Sequence, residues 1–251
     1  MKIKRILSAI AVCVLVVSMC VGIAACAPNA KGVKGEQITE TEWVAAFEKL
    51  ASDDSKFVVE CYAKASVAYK QVTTVHKTKW TATTTESYTY TKNGSNESKI
   101  GYNKISYSGN KASAENEVGK VPGKTQVELY SQITDDGIYN YEKNLNEKWE
   151  KDEASKSVIA EDFYYITYLK NSFDSFEYSK EHNGYVAKGY KKGDDITVYK
   201  FQKAKLVAVY MYAEDFDENS NSQQYDCTKS TLEMHITINY ITKAVKLPSV
   251  R

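Results

Sequence analysis

Histidine, cysteine and any surplus of charge are what this 251-residue sequence has least of, and each shortage removes a class of function. The three histidines, His76, His182 and His235, fall in separate segments without HxxxH or HxH spacing, so no zinc-hydrolase motif is present. His235 belongs to the polar side of an alternating segment and His182 lies beside a turn, which assigns both to solvated structural roles. Thirty-three basic residues balance 32 acidic ones. Such a chain has no wide electropositive field, and nucleic acid is excluded as a partner. Beyond residue 26 only Cys61 and Cys227 remain, and neither has a CxxC neighbour or a nearby histidine. Metal and redox chemistry are therefore not expected, and no cofactor is called for. No fixed-period repeat is visible either.

What is present begins at the N-terminus. Lys2, Lys4 and Arg5 precede an uncharged run of about 20 residues from Ile6 to Ala25, a charged region followed by an apolar one. Length alone does not separate a cleaved signal from a membrane-spanning helix. The end of the run decides: Ile23-Ala24-Ala25-Cys26 resembles the lipobox of bacterial lipoproteins. There a branched residue and two small ones precede a cysteine that is acylated and becomes the new N-terminus. Pro28 then stops any continuing helix, because proline lacks the N–H that the helix needs. Residues 1–25 are read as a signal peptide, with Cys13 and Cys20 removed along with it. Acyl chains on Cys26, each buried methylene contributing about 0.8 kcal/mol, would hold the chain to a cell membrane facing outside the cytoplasm. Removal of 1–25 takes three basic residues and no acids, leaving 30 against 32 and a formal charge of −2. An exported compartment also permits Cys61 and Cys227 to pair. A disulfide would tie the first long strand to the start of the last; two separate thiols are the alternative.

Twenty tyrosines stand against seven phenylalanines. Tyrosine suits half-buried sheet surfaces, where the ring packs and the hydroxyl reaches water. A Tyr-rich sheet is the first reading, ahead of a ligand-stacking platform.

Residues 26–37, small and polar apart from Val33, read as the lipidated cysteine and a flexible tether. Thr39 and Glu42 then have capping-box spacing, Ile38 and Trp43 that of a hydrophobic staple. Trp43, Val44, Phe47 and Leu50 repeat at helical intervals, which predicts one apolar face. From Phe57 to Trp149 the pattern is strand-like, with turns at Asn93-Gly94, Ser108-Gly109-Asn110 and Asp135-Asp136-Gly137. A second helix is expected over Ser157 to Asn171, where Ile159, Phe163, Ile166 and Leu169 share a stripe. Strands resume at Phe173, with turns at Asn183-Gly184 and Gly193-Asp194. The last strand alternates most cleanly: Leu232, Met234, Ile236, Ile238 and Tyr240 on one side, Glu233, His235, Thr237 and Asn239 on the other.

The expected fold is mainly β (α+β): one domain over 38–248, a curved antiparallel sheet or half-barrel with an N-terminal helix and a helix inserted midway. The Ile38-Thr39-Glu40-Thr41-Glu42-Trp43 helix start, Phe173-x-x-Phe176-x-Tyr178 leading to Asn183-Gly184-Tyr185, and the closing Ile238-Asn239-Tyr240 with Val245-Lys246-Leu247-Pro248 resemble uncharacterised lipoproteins of Gram-positive bacteria. More broadly, the element order resembles the LolA-like half-barrel superfamily. That likeness implies carriage of lipoproteins or lipids in an apolar concavity, and brings no catalytic residues. The strands from Val72 to Tyr90 depart from it, being rich in Thr and Lys.

Two further spacings match known sites only in part. Ser108-x-x-Lys111 has the S-x-x-K spacing of penicillin-recognising enzymes, without the SDN and KTG partners. Asp215, Asp217, Asn219, Asn221 and Asp226 approximate the oxygen spacing of a calcium loop, but Ser220 replaces its glycine and the flanks are strands. The expectation is a non-catalytic, membrane-anchored protein that binds a lipid, glycan or protein ligand, with a structural envelope-interaction protein as the alternative and an enzyme third.

Overall fold

The structure is a computed structural model and describes residues 29–52, 54–71, 79–109, 124–144, 146–155, 157, 168–214 and 225–250. Among the described residues one α-helix, α1 (Glu40–Ala51), precedes eleven strands: β1 (Lys56–Gln71), β2 (Lys79–Asn93), β3 (Asn96–Gly109), β4 (Thr125–Thr134), β5 (Gly137–Lys143), β6 (Trp149–Ala154), β7 (Phe176–Ser179), β8 (Gly184–Ala187), β9 (Ile196–Gln202), β10 (Lys205–Glu214) and β11 (Tyr225–Asn239). They form a single curved antiparallel sheet in the order β6-β5-β4-β3-β2-β1-β11-β10-β9-β8-β7. Two meanders thus run outward from a shared centre, where the last strand lies against the first from Val58↔Asn239 to Gln71↔Tyr225. Among the described residues no helix is long and apolar enough to cross a membrane.

Local chemistry accounts for the elements the spacing predicts. Thr39 caps α1: its hydroxyl accepts from the Glu42 N–H, while Glu42 reaches back to the Thr39 N–H at 2.8 Å. That reciprocal pair holds the Glu42 carboxyl below its ordinary pKa. The β2–β3 hairpin turns at Gly94, whose φ of +60° is the left-handed conformation that favours glycine. Aspartates 135 and 136 with Gly137 link β4 to β5 as expected, and Asn183, at φ +49°, links β7 to β8.

One expected strand start changes, one open alternative is resolved, and one expected helix lies mostly outside the described residues. Of the midway helix, 158–167 lies outside the described residues, and Tyr168–Asn171 is a 3-10 turn. Phe173–Ser175 is also a 3-10 turn, so the strand expected from Phe173 starts at Phe176. Cys61 and Cys227 are too far apart to be joined to each other. Cys61 lies opposite Ile236, whereas Cys227 lies opposite Tyr69, eight residues further along β1. At about 3.3 Å per residue they stand roughly 26 Å apart, far beyond the ~4.4–6.8 Å between Cα atoms of a disulfide. Cys61 is buried under α1's core and Cys227 is half-exposed.

The core sits where α1 crosses one face of the sheet. Trp43, fully buried, is its hub. Its ring lies 5.1–6.1 Å from Phe47, Phe173, Phe176, Tyr185, Tyr199 and Phe201, and its indole N–H donates to the Leu169 carbonyl at 2.8 Å. Phe57, Val59 and Cys61 on β1, and Ile236 and Ile238 on β11, complete the same face. Trp43→Ala removes the largest side chain of this cluster, and urea denaturation should show a loss of about 3–5 kcal/mol. A loss under about 1 kcal/mol would contradict the hub role.

Candidate functional site

The alternation of side chains along each strand, together with the pairing register, sorts the sheet into two faces. The first face carries α1 and the aromatic core, and beside the core, across β2 and β3, it turns polar. Glu97 is almost fully buried, accepts from the Ser157 hydroxyl at 2.7 Å and lies 3.8 Å from Lys92. Lys99 lies 3.4 Å from Glu86 and sits 4.0 Å over the Tyr88 ring. The face implied by the carrier resemblance is thus filled with aromatic rings where α1 lies, carries these two ion pairs beside them, and further along holds an apolar cluster of Trp80, Tyr69, Ala82 and Tyr107. Among the described residues, open grooves border the sheet. One, of about 420 Å³, runs past Lys49, Lys56, Lys205 and Tyr240; another, of about 320 Å³, past Glu177, His182, Tyr190 and Lys192.

The second face is polar in a different way. Along β2 it presents Thr81, Thr83, Thr85, Ser87, Thr89 and Thr91 in unbroken alternation. Ser66 on β1 and Ser106 on β3 flank Thr83, with the Ser66 and Thr83 hydroxyls 3.2 Å apart. Tyr62, Tyr102, Tyr130, Tyr139, Tyr210 and Tyr212 point the same way by register. Tyrosine is therefore divided between the two faces, with Tyr90, Tyr185 and Tyr199 in the core.

The N-terminal segment reaches both faces. It was expected as a flexible tether over 26–37, but from Asn29 onward it is docked. Ala30 is fully buried against Val186, Ile196, Val198, Ala208 and Tyr210 on the hydroxyl face. Lys200, itself 3% exposed, donates to the carbonyls of Lys31 and Val33 at 2.9 and 2.8 Å, and burial lowers its pKa. Gln202 donates to the Lys34 carbonyl at 2.7 Å. The chain then crosses to the α1 face at Gly35, whose N–H donates to the Asn183 carbonyl at 3.0 Å. A Cβ there would stand 2.3 Å from that oxygen, so only glycine fits. Glu36 donates to the Phe201 carbonyl at 2.7 Å, and Ile38 exchanges two hydrogen bonds with the Tyr185 hydroxyl.

Beneath this arm lies a charged cluster. Lys31 reaches Glu233 at 2.7 Å and lies 4.5 Å over the Tyr210 ring, while His235 Nε2 meets the same Glu233 oxygen at 3.2 Å. His235 is thus not solvated as expected: its side chain is 12% exposed, between Tyr210 and Tyr62. The Glu233 carboxyl is held below its ordinary pKa, first by Lys31 and further by His235, with partial burial opposing them. Lys31 is raised, chiefly by Glu233. Two carbonyls, a carboxylate and two ammonium groups thus lock an arm to a sheet.

The remaining expected sites are scattered. Ile23, Ala24, Ala25, Cys26 and His76 lie outside the described residues, as do Asp215, Asp217, Asn219 and Asn221 of the calcium spacing; Asp226 is exposed at the start of β11. Ser108 is paired with Thr81 near the end of β3, a strand instead of the buried helix start that serine acylation requires. Lys31, Gly35, Lys200 and Glu233 went unread. Lys200 carried the one available signal, a charge between Tyr199 and Phe201 in a strand that is otherwise apolar.

No protein-family model and no curated protein matches the sequence. Among solved structures, the chain is similar to the crystal structure of a DUF1329 family protein from Desulfovibrio piger, with 11% sequence identity over 83% of this chain and 94% of that one and a TM-score of 0.18. A likeness at that score assigns neither fold nor activity.

The arm's electrostatics have a definite pH dependence. A depressed carboxylate contributes stability above its unfolded pKa of about 4.3, and loses it as pH falls through its folded value. A raised lysine contributes fully below about 10.4 and loses the effect as pH rises past it. The stability difference between wild type and Glu233→Gln should therefore be largest near neutral pH and shrink toward zero in acid, as read by urea denaturation across a pH series. A difference that is flat with pH would contradict the ion pair.

Proposed function

We propose that this chain is an extracytoplasmic lipoprotein, acylated at Cys26, that works as a membrane-anchored binding domain without catalysis. The contacts are made on its surface, not in an internal lipid cavity. The observation that carries this reading is the state of the face a carrier would use: Trp43 and its ring partners fill it, and the Lys92–Glu97 and Glu86–Lys99 pairs line what continues beside them. Acyl cargo has no affinity for buried ion pairs, since each charge would have to be desolvated against hydrocarbon. The opposite face, with its tyrosines and hydroxyls, has the composition of a surface that meets a polar partner: rings give contact area and hydroxyls hydrogen-bond at their tips. The lipobox spacing Ile23-Ala24-Ala25-Cys26 supports the anchor.

Two measurements test this reading. Cys26→Ser should abolish labelling by radioactive palmitate and release the protein from the membrane fraction; persistent labelling would refute the anchor. Native mass spectrometry of the protein after gentle extraction should give the mass of the chain with its anchor alone, and additional co-purifying lipid would overturn surface binding in favour of carriage.

A further inference from the structure

Resting on that reading of Cys26, we infer that the hydroxyl and tyrosine face lies against the phospholipid headgroup layer of the membrane that holds the anchor, and that the α1 face points away. The argument starts from chain length. Asn29 is already fixed: its side chain caps the Ala30–Gly32 turn through Gly32 N at 3.0 Å, and Ala30 beside it is fully buried on β8, β9 and β10. Three residue steps separate Asn29 from Cys26, a reach of at most about 11 Å at ~3.8 Å per step. Acyl chains seat the cysteine at the boundary between headgroups and hydrocarbon. The headgroup layer on one side of a bilayer is itself roughly 5–7 Å deep. A leash that short, leaving from the β8–β10 end of the face and not from a free chain end, brings that end of the face to the headgroups.

The chemistry of the face agrees with that occupant. Tyrosine is enriched at membrane interfaces because its ring tolerates the glycerol region while its hydroxyl stays hydrated. Tyr62 and Tyr102 share the face with the half-buried Thr81, Thr83, Thr85 and Thr89, whose hydroxyls offer donors and acceptors to phosphate and ester oxygens; Ser87 and Thr91 of the same row are buried, and Tyr210 lies under Lys31. Lys64 and Lys104, both exposed, stand opposite Thr85 on either side of that row. Among the described residues the exposed large apolar ones, Ile241 and Val250, follow β11 and are not part of the face. The face therefore rests on headgroups without inserting into hydrocarbon. Arm and face act together, since the Lys31–Glu233 pair and the Lys200 bonds keep the leash from paying out.

The test uses the full chain, acylated and reconstituted into phosphatidylglycerol and phosphatidylethanolamine vesicles that contain a headgroup-attached nitroxide. In a Cys61→Ser, Cys227→Ser background, a fluorophore is placed by Lys64→Cys or Lys104→Cys on the hydroxyl face, or by Glu48→Cys on α1. Acylation of each preparation is first verified by mass. Quenching severalfold stronger at the first two positions than at Glu48 is expected. Equal quenching at all three, or stronger quenching at Glu48, in acylated protein overturns the orientation and leaves the anchor standing. Absence of acylation removes the anchor itself. Retention on isolated cell-wall glycan together with unquenched Lys64 and Lys104 probes would assign the face to a glycan, and so also overturns the inference.

Discussion

The crossing at Gly35 is the constraint on which the molecule's arrangement depends. One residue without a side chain lets the backbone pass within hydrogen-bond reach of the β7–β8 turn, and so carries the chain from one face of the sheet to the other. Before it, Ala30 to Val33 lie on the hydroxyl face under the hold of Lys200; after it, Ile38 and α1 close over the aromatic core. The Tyr178 hydroxyl donates to the Gly35 carbonyl at 2.9 Å, so the edge strand β7 secures the same point. A sheet pinned on both faces by one continuous segment has a fixed relation between Asn29 and each surface.

The pairing of β11 with β1 provides the platform for this crossing. It joins residues more than 150 positions apart and makes one sheet of two meanders, each built from local hairpins. Across that seam Cys61 and Ile236, then Val59 and Ile238, bring both halves under α1. Removal of either central strand would leave two sheets, each with an open edge and half a core.

Local features were legible in the sequence because local chemistry decides them. The Thr39–Glu42 capping box, the Ile38–Trp43 staple, the Asn93-Gly94 hairpin and the alternation of β11 all involve residues within a few positions of one another, and the structure places each as expected. What could not be read depends on distant partners. Residues 29–36 carry almost no hydrophobic signal, and their order comes from Lys200, Gln202, Asn183 and Phe201, more than 140 positions away. The distance between Cys61 and Cys227 depends on the β1–β11 register, which no spacing along the chain reveals. The strand expected at Phe173 failed for a related reason: Phe173 serves the Trp43 cluster from a 3-10 turn, where tertiary packing overrides strand propensity. The character of the would-be concavity was legible in part, since the Thr- and Lys-rich strands already conflicted with an apolar lining. The burial of Glu97 beside Lys92 emerged only from pairing.

The central claim is that residues 29–36 are part of the fold and not a tether. Amide hydrogen exchange at Gly35 and Glu36 tests it most directly, because their N–H groups donate to Asn183 and Phe201 and to nothing else in the arm. Protection of the order seen in β9 and β10 is the predicted result. Exchange at the rate of an unstructured chain would contradict the docked arm.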